Sequence, residues 1–491
     1  MQSPASLALF AFQAAAGILF LATTFHVFYQ CFLSPLAKVP GPFLAKFSNL
    51  YRAYITWRGQ LHRDIVSLHE KYGKVVRIGP NNLSVADPMA FREIYKAGNK
   101  FTKDISYNVM QGTRPFDLAG ERNEKIHSAQ RKLVARAYSM ESMIHLEPKV
   151  DSVIQLMLGK LDERLGETVD LGFWLQLFAF DVTGAVSFTR PFGFVDAGDD
   201  QGLFLKIQRS MISMAWLMQA SWIHRIHEKL KPIIGNWLAA NDRNGYFFNY
   251  ASKEVVGRKD RGGDDRDILG QLFAVQKEKS QLSDVDIAFM MTSNVFAGSD
   301  TTSGALRGLF YFLFKNPDKL NRLLEELKEK KANGQLSDLV SSEQAKSCGY
   351  LQAVLYESMR LLPPVAIVLD RDVPQGGMSI GPYYIPEGVV VGSSAWAIHR
   401  MPEVWGPDAN EFRPERWLNK YSEGDLKRFF FAFGGGSRTC IGRNISWLGM
   451  EKVVPTILMR YAFHVADDLE LKEESGALVF FSGLNVRMGL Q

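Results

Sequence analysis

The segment FGGGSRTCIG, residues 433–442, sets a cysteine behind three consecutive glycines and directly ahead of a run with a helical pattern. The chain has only 3 cysteines, at positions 31, 348 and 440. They are too few for a disulfide framework, and no CxxC pair marks a zinc site or a redox dithiol. That usage fits a reducing compartment around the body of the chain. Three readings of Cys440 stand open: a buried bystander, a nucleophile, or a ligand to a metal other than zinc. The glycines let the backbone pass close to a flat object, and a helix beginning after Gly442 turns its first amides toward Cys440. Both features favour a thiolate.

A nucleophile needs a base, and none of the 9 histidines sits in a motif that the sequence pairs with Cys440. A haem ligand needs something different: arginines for the propionates, and a small-residue gap in a helix where oxygen can enter. The hexapeptide AGSDTT, residues 297–302, offers such a gap. A glycine inside a helix costs about 1 kcal/mol relative to alanine, and close approach of a ligand to Ala297 and Gly298 would explain it. Asp300 and Thr301 add a carboxylate and a hydroxyl able to pass protons to a reacting oxygen. The plainer reading of the same six residues is a helix kink with polar side chains facing solvent.

The elements that must hold these residues are mostly helical in pattern. Ser283 and Asp286 form a capping box, and helical sequence continues to Lys315, before Asn316 and Pro317 start another helix. At 1.5 Å per residue that helix measures about 48 Å, enough to cross a domain. YLQAVLYESMRLLPP is a second helix, stopped by Pro363 and Pro364. GKVVRIGPNNLSVADP predicts a strand pair around a Gly-Pro-Asn-Asn turn, and YYIPEGVVVG predicts further strands. The fold class is therefore mainly α with small β-sheets, without the alternation of a doubly wound fold. The charged stretch GRKDRGGDDRD, residues 257–267, is expected to be a solvated loop.

Residues 1–37 contain no Lys, Arg, Asp or Glu, and the apolar run from Leu7 to about Phe32 is long enough for a membrane helix of roughly 20 residues. Lys38, Lys46, Arg52 and Arg58 follow it, which by the positive-inside rule puts the body on the cytosolic side. A cleaved signal sequence is the competing reading, but the run has no basic leader and is too long. The sequons at Asn82 and Asn444 are read as chance matches, since a glycan four residues after Cys440 would block that region. The boundaries drawn are an anchor over 1–34, a stiff proline-rich hinge over 35–45 with Pro35, Pro40 and Pro42, and one body over 46–491. The net charge of +5 is spread without a basic tract, so nucleic acid is not an expected partner; an acidic protein or anionic lipid headgroups fit it equally well.

Taken in order, four motifs resemble those of the cytochrome P-450 haem-thiolate monooxygenases, over nearly the whole chain. FxxGxRxCxG is matched by Phe433, Gly436, Arg438, Cys440 and Gly442; AGSDTT matches the oxygen-binding helix signature; ESMR matches ExxR with Glu357 and Arg360; and FRPERW matches a PERF-like motif with Arg416. The resemblance implies the P-450 fold and a haem b whose iron takes Cys440 as its proximal ligand, the thiolate pushing electron density toward bound oxygen. It implies Arg438, Arg371 in VLDRDV and Arg131 in HSAQRKL as partners of the propionates. The family's WxxxR pattern is broken here, because His127 stands at the aromatic position; it lies i, i+4 from Arg131 and could reach the same carboxylate, or be an ordinary surface histidine. Glu357, Arg360 and Arg416 are expected to form a buried charge network that supports folding and takes no part in the chemistry.

The same resemblance implies substrate contacts near Phe296, Ala297 and Thr301, in residues 364–369 and in residues 480–484. These are apolar stretches that suit a lipophilic substrate or, residue by residue, plain core packing. NVFAGSDTT and RPERWL are most similar to microsomal enzymes of fungal secondary metabolism, including the pisatin demethylase type. Electrons are expected from NADPH through a separate membrane-bound reductase, since no flavin or nicotinamide fingerprint follows the cysteine segment. The leading expectation is a monooxygenase anchored in the endoplasmic reticulum membrane by a single pass, inserting one atom of O2 by hydroxylation, epoxidation or demethylation. A haem-thiolate isomerase or dehydratase that needs no reductase is the enzymatic alternative, and a haem-binding scaffold is the non-catalytic one.

Overall fold

The structure is a computed structural model that describes residues 4–238, 245–279 and 281–491; residues 1–3 of the expected anchor lie outside that range. The first helix, α1 (Pro4–Phe28), continues through a π-helical turn at Tyr29–Leu33. Residues Ala8–Leu33 form a 26-residue apolar run containing an 18-residue stretch of which none is buried; its end is tied to the body, where Gln30 is buried and accepts from Arg77. A second helix, Leu171–Phe188, is apolar enough to pass the same length-and-composition test, but 94% of it is buried inside the body. Burial therefore separates a membrane-length helix whose apolar stretch is exposed from an ordinary core helix. The proline segment after α1 is docked on the body: Leu36 and Val39 are buried, and Arg77 N–H donates to the Pro40 carbonyl at 2.7 Å.

The helices that build the site are α2 (Leu50–Trp57), α3 (Glu124–Val134), α4 (Leu171–Phe188), α5 (Leu203–Gln219), α6 (Ser221–Ile234), α7 (Tyr246–Arg261), α8 (Asp284–Lys315), α9 (Gly349–Leu361) and α10 (Arg443–Arg460). α8 forms where its caps predict. Ser283 Oγ accepts from Asp286 N–H at 3.1 Å and the Asp286 carboxylate accepts from Ser283 N–H at 3.0 Å. At the other end Pro317, with no N–H to give, begins the next helix. α8 crosses the whole body, packed along α4 and against α7, α9 and α10.

The main sheet runs β1-β2-β5-β4-β3, from β1 (Val75–Gly79), β2 (Asn82–Val85), β3 (Thr102–Lys103), β4 (Arg371–Asp372) and β5 (Val390–Gly392). β2 and β5 are parallel and the other neighbours antiparallel, with Lys103 directly opposite Arg371 in the β3–β4 pair. A three-stranded sheet of Thr168–Asp170, Asn485–Leu490 and Tyr461–His464 and two hairpins complete the β structure among the described residues.

Glu357, Arg360 and Arg416 meet in a fully buried network. Arg360 grips Glu357 with two bonds of 2.8 and 2.9 Å, Arg416 Nε adds one of 2.8 Å, and Trp417 Nε1 one of 2.8 Å. The remaining Arg360 donors reach the carbonyls of His399, Ala409 and Glu411. His399 carries the network onward. Its Nδ1 faces the Arg360 carbonyl at 2.8 Å, so its Nε2 is the acceptor for Phe431 N–H at 2.7 Å, at the entrance of the cysteine loop. The expected solvated loop at 257–267 is corrected: α7 runs on to Arg261, and Arg258 and Asp267 form a buried ion pair of 2.8 Å. The two cancel each other's charge, and that cancellation lets this charged stretch fold inward.

Candidate functional site

The cysteine loop is a closed turn. Cys440 N–H donates to the Phe433 carbonyl at 2.8 Å, Gly434 N–H to Phe431, and Thr439 N–H to Gly436. Gly434 and Gly436 take positive φ of 70° and 59°, conformations that disfavour any side chain. α10 then starts at Arg443 with Gly442 as its cap. Cys440 carries accessible surface and lines a large cavity. Burial raises its pKa, against the backbone N–H groups of Gly442 and Arg443 and the charge of Arg131, which favour the thiolate.

Across the cavity lies the middle of α8. Ala297 and Thr301 line it, and Ala297 carries accessible surface although its neighbours Phe296 and Ser299 are buried. Thr301 Oγ1 donates to the Ala297 carbonyl at 2.7 Å. Met110, Met211, Met214, Met290, Val365 and Leu478 add an apolar lining. Unbranched thioether side chains adapt to irregular shapes, so this wall suits a non-polar guest.

The rim is strongly cationic. Lys103, His127, Arg131, Arg371 and Arg438 all line the same cavity. Arg438 pairs with Glu124 at 2.6 Å, whereas Lys103, Arg131 and Arg371 have no carboxylate partner among the described residues. Their donors end on backbone carbonyls: Arg131 on Thr439 at 2.8 Å, Arg371 on Asp370 at 2.8 Å, Lys103 on Ala119 at 2.7 Å. Burial and then Arg438 and Arg371 push the Lys103 pKa well below its ordinary value. Burial, with Arg438, Lys103, Arg131 and Arg371 behind it, takes His127 down to about 3. Arg371 departs from this pattern: burial opposes its charge, but the neighbouring phenols Tyr107 and Tyr95 act the other way and its pKa is raised on balance. Like charges directly opposite on paired strands destabilise a sheet. A cofactor bringing two carboxylates would relieve this, and a soft metal would complete a thiol held by amides. The residues present thus fit haem, with Cys440 for the iron and the rim for the propionates.

Comparison with known proteins agrees. The sequence profile of the family described as cytochrome P-450 matches residues 38–483. The chain is 53% identical over 485 residues to cytochrome P-450 monooxygenase hepC of Aspergillus oryzae, covering 95% of this chain and 93% of that protein. It is 34% identical to cytochrome P-450 monooxygenase cicH of Emericella nidulans, over 88% of this chain and 89% of the relative. It is 32% identical to cytochrome P-450 monooxygenase esdpH of Penicillium shearii, over 92% and 93%.

The chain belongs to the cytochrome P-450 family. It is a haem monooxygenase of the type found in fungal secondary metabolism.

Within this P-450 the structure brings Cys440, Arg438, Arg371, Arg131, His127, Phe433, Gly442, Ala297, Gly298 and Thr301 to one cavity. Two of the expected residues stand elsewhere. Gly436 does not line the cavity; a Cβ there would lie 2.3 Å from the Tyr95 carbonyl, so its glycine serves the close packing of the loop on the body. Asp300 is also absent from the lining: its carboxylate leaves α8 on the side of α4 and bonds Gln176 at 2.7 Å. The reason for glycine at 298 is also different from the one expected. A Cβ there would come within 2.9 Å of Thr183 Oγ1 on α4, so helix packing requires the glycine, and the cavity gains from it. His127 is buried, which removes the surface-histidine reading. Among the apolar stretches, residues 480–484 are replaced at the cavity by Ala477 and Leu478. The side chains of the two sequon asparagines are buried or engaged, Asn82 in β2 and Asn444 through a 2.9 Å bond to the Tyr138 carbonyl. Lys103 and His399 were not legible as functional residues. Lys103 reaches the rim only because β3 pairs with β4, about 270 residues away, and no local pattern signals that.

Proposed function

We propose that the protein is a membrane-anchored monooxygenase that takes electrons from NADPH through a separate reductase and inserts one oxygen atom from O2 into a C–H or C=C bond of a lipophilic small molecule. The observation that carries this is one cavity with the Cys440 sulfur on one wall, unpaired cations at its rim and an apolar lining opposite. Bound haem supplies the activation of oxygen and the oxygen-atom transfer. Cys440, oriented by the closed loop and the first amides of α10, is its ligand. Arg131, Arg371 and Arg438, joined by Lys103, hold its propionates, and His127 stands beside them as a neutral donor. The apolar wall binds the substrate and excludes water, and Thr301 holds a hydroxyl proton at Oγ1 above the same space. Asp300 acts from behind Thr301 as the acid that replenishes protons.

The reading extends to location. Ala8–Leu33 is the single pass, in the endoplasmic reticulum membrane, with the hinge and the body on the cytosolic side. Exposed Trp222, Ile226, Leu230, Ile233, Ile234 and Trp237 at and beyond α6 support contact with a membrane surface, as do exposed Leu50, Tyr54 and Trp57 on α2, which packs on α5. The test is to feed candidate lipophilic compounds to a host co-expressing the chain and a reductase and to read products by mass. A product heavier by one oxygen atom, or lacking a methyl group, is expected only when both proteins are present. Turnover that is indifferent to the reductase would point to the isomerase or dehydratase chemistry instead. Protease added to intact microsomes should digest the body; a protected, glycosylated body would reverse the orientation.

A further inference from the structure

Asp300 has a partner that no motif signals. Gln176 Nε2, on α4, donates to Asp300 Oδ1 at 2.7 Å, while Oδ2 is buried without a hydrogen bond. The Gln176 amide is not free to turn. Arg307, two turns further along α8, donates from Nη2 to Gln176 Oε1 at 2.8 Å and from Nη1 to the Phe481 carbonyl. A guanidinium can only donate, so it fixes the amide oxygen on its own side and the NH2 group on Asp300. The fold leaves room for this clamp: at Gly172, in the first turn of α4, a Cβ would lie 2.5 Å from Arg307 Nε.

We infer that Gln176, clamped by Arg307, is a positioning residue that holds the Asp300 carboxylate on the α4 side of α8 and sets how firmly Asp300 keeps its proton. The inference rests on the proposed pairing of Asp300 with Thr301 in proton supply. Only O–H bonds change: one proton leaves the carboxyl and another replaces it. A donated bond to the carboxylate and a nearby guanidinium favour the ionised form, while burial opposes it. Burial prevails, and Asp300 stands at about 6.

Arg307 is the ionisable group that faces Asp300, and Asp170, the cap of α4, faces Arg307 in turn. Other buried charged groups on the packed helices are turned to partners of their own. Asp181 of α4 takes the N–H groups of Gly193, Phe194 and Val195. Glu254 and Arg258 of α7 pair with Arg261 and Asp267. Glu357 and Arg360 of α9 pair with each other, and Lys452 of α10 pairs with Glu147 and Asp151 while Glu451 bonds Ser342.

The experiment is infrared spectroscopy of the purified, haem-loaded full chain in detergent, titrated through the pH range in which Asp300 ionises. Subtracting the Asp300→Asn spectrum isolates the Asp300 carboxyl band. In Gln176→Leu the band's midpoint should rise by about 1 in pH, because a bond to the carboxylate is lost, and its frequency should move toward that of an unbonded acid. Gln176→Glu keeps the shape and replaces the donor by a second carboxyl, so its midpoint should rise as well, which preserves the test if the leucine variant fails to hold haem. Both variants should release more hydrogen peroxide per NADPH consumed. An unchanged midpoint and frequency in a haem-retaining variant overturns the inference. A wild-type chain that never binds haem, or a Thr301→Ala variant with unaltered coupling, would instead sink the proposed function on which it rests.

Discussion

Around Glu357, one carboxylate, two guanidiniums and an indole close on one another, and every donor of Arg360 ends on a carboxylate or a carbonyl. At the cavity rim, Lys103, Arg131 and Arg371 are held as firmly, yet chiefly by backbone carbonyls, and none forms an ion pair with a carboxylate among the described residues. Both regions bury positive charge. The first is complete without any ligand and belongs to the fold; the second is complete only when a dianion arrives. A buried charge is tolerated when it is paired, so an unpaired set around a cavity describes the ligand that is to fill it. His399 joins the two, carrying the position of Arg360 to Phe431 and so to the loop that holds Cys440.

Breaking the complete network should have the largest effect. Glu357→Gln or Arg360→Met leaves buried charge uncompensated and should lower stability by about 3–5 kcal/mol. Denaturant unfolding should show that loss with and without bound haem; a loss seen only in the haem-loaded protein would make the network part of the site. Opening the incomplete network should do the reverse. Arg371→Met should weaken haem binding by roughly 10- to 100-fold, the value of one hydrogen-bonded charge, while leaving the haem-free protein as stable as before or slightly more so. Haem transfer to an acceptor protein measures the first and thermal unfolding of the haem-free chain the second.

A smaller effect is expected at Thr301→Ala, which should keep haem but lower product formed per NADPH by about tenfold, with the balance appearing as hydrogen peroxide. Unaltered coupling would remove Thr301 from proton handling. The smallest concerns Asp300. Burial raises its pKa above the ordinary 3.8, to about 6, so between these values the folded protein holds a proton that the unfolded chain has released. Its contribution to stability is therefore present in full below pH 3.8 and lost as pH rises through about 6. Asp300→Asn should cancel that slope, a fraction of a proton in magnitude, and gain on the wild type as pH rises from acid to neutral.

The contrast between regions also explains what was legible in the sequence. Cys440, the capping box of α8 and the Glu357–Arg360 pair are local features, set by residues within a turn or two of each other, and the structure carries all three. Local patterns fail where the deciding neighbour is remote. Gly298 owes its lack of a side chain to Thr183, and Asp300 owes its direction to Gln176, both on α4. Arg258 and Asp267 read as a solvated run until their burial against each other is known. Lys103 becomes a rim residue through strand pairing alone. The direction of a side chain around a helix, more than the existence of the helix, is what the one-dimensional pattern left open.

The central claim is that the Cys440 sulfur is the ligand of haem iron, and the carbon monoxide difference spectrum of the reduced, purified protein tests it most directly. With iron and porphyrin precursor in ample supply, the wild type should show the long-wavelength Soret band of thiolate ligation and Cys440→Ala should lose it. A wild type that purifies colourless, or a Cys440→Ala variant that keeps the thiolate band, would contradict the account.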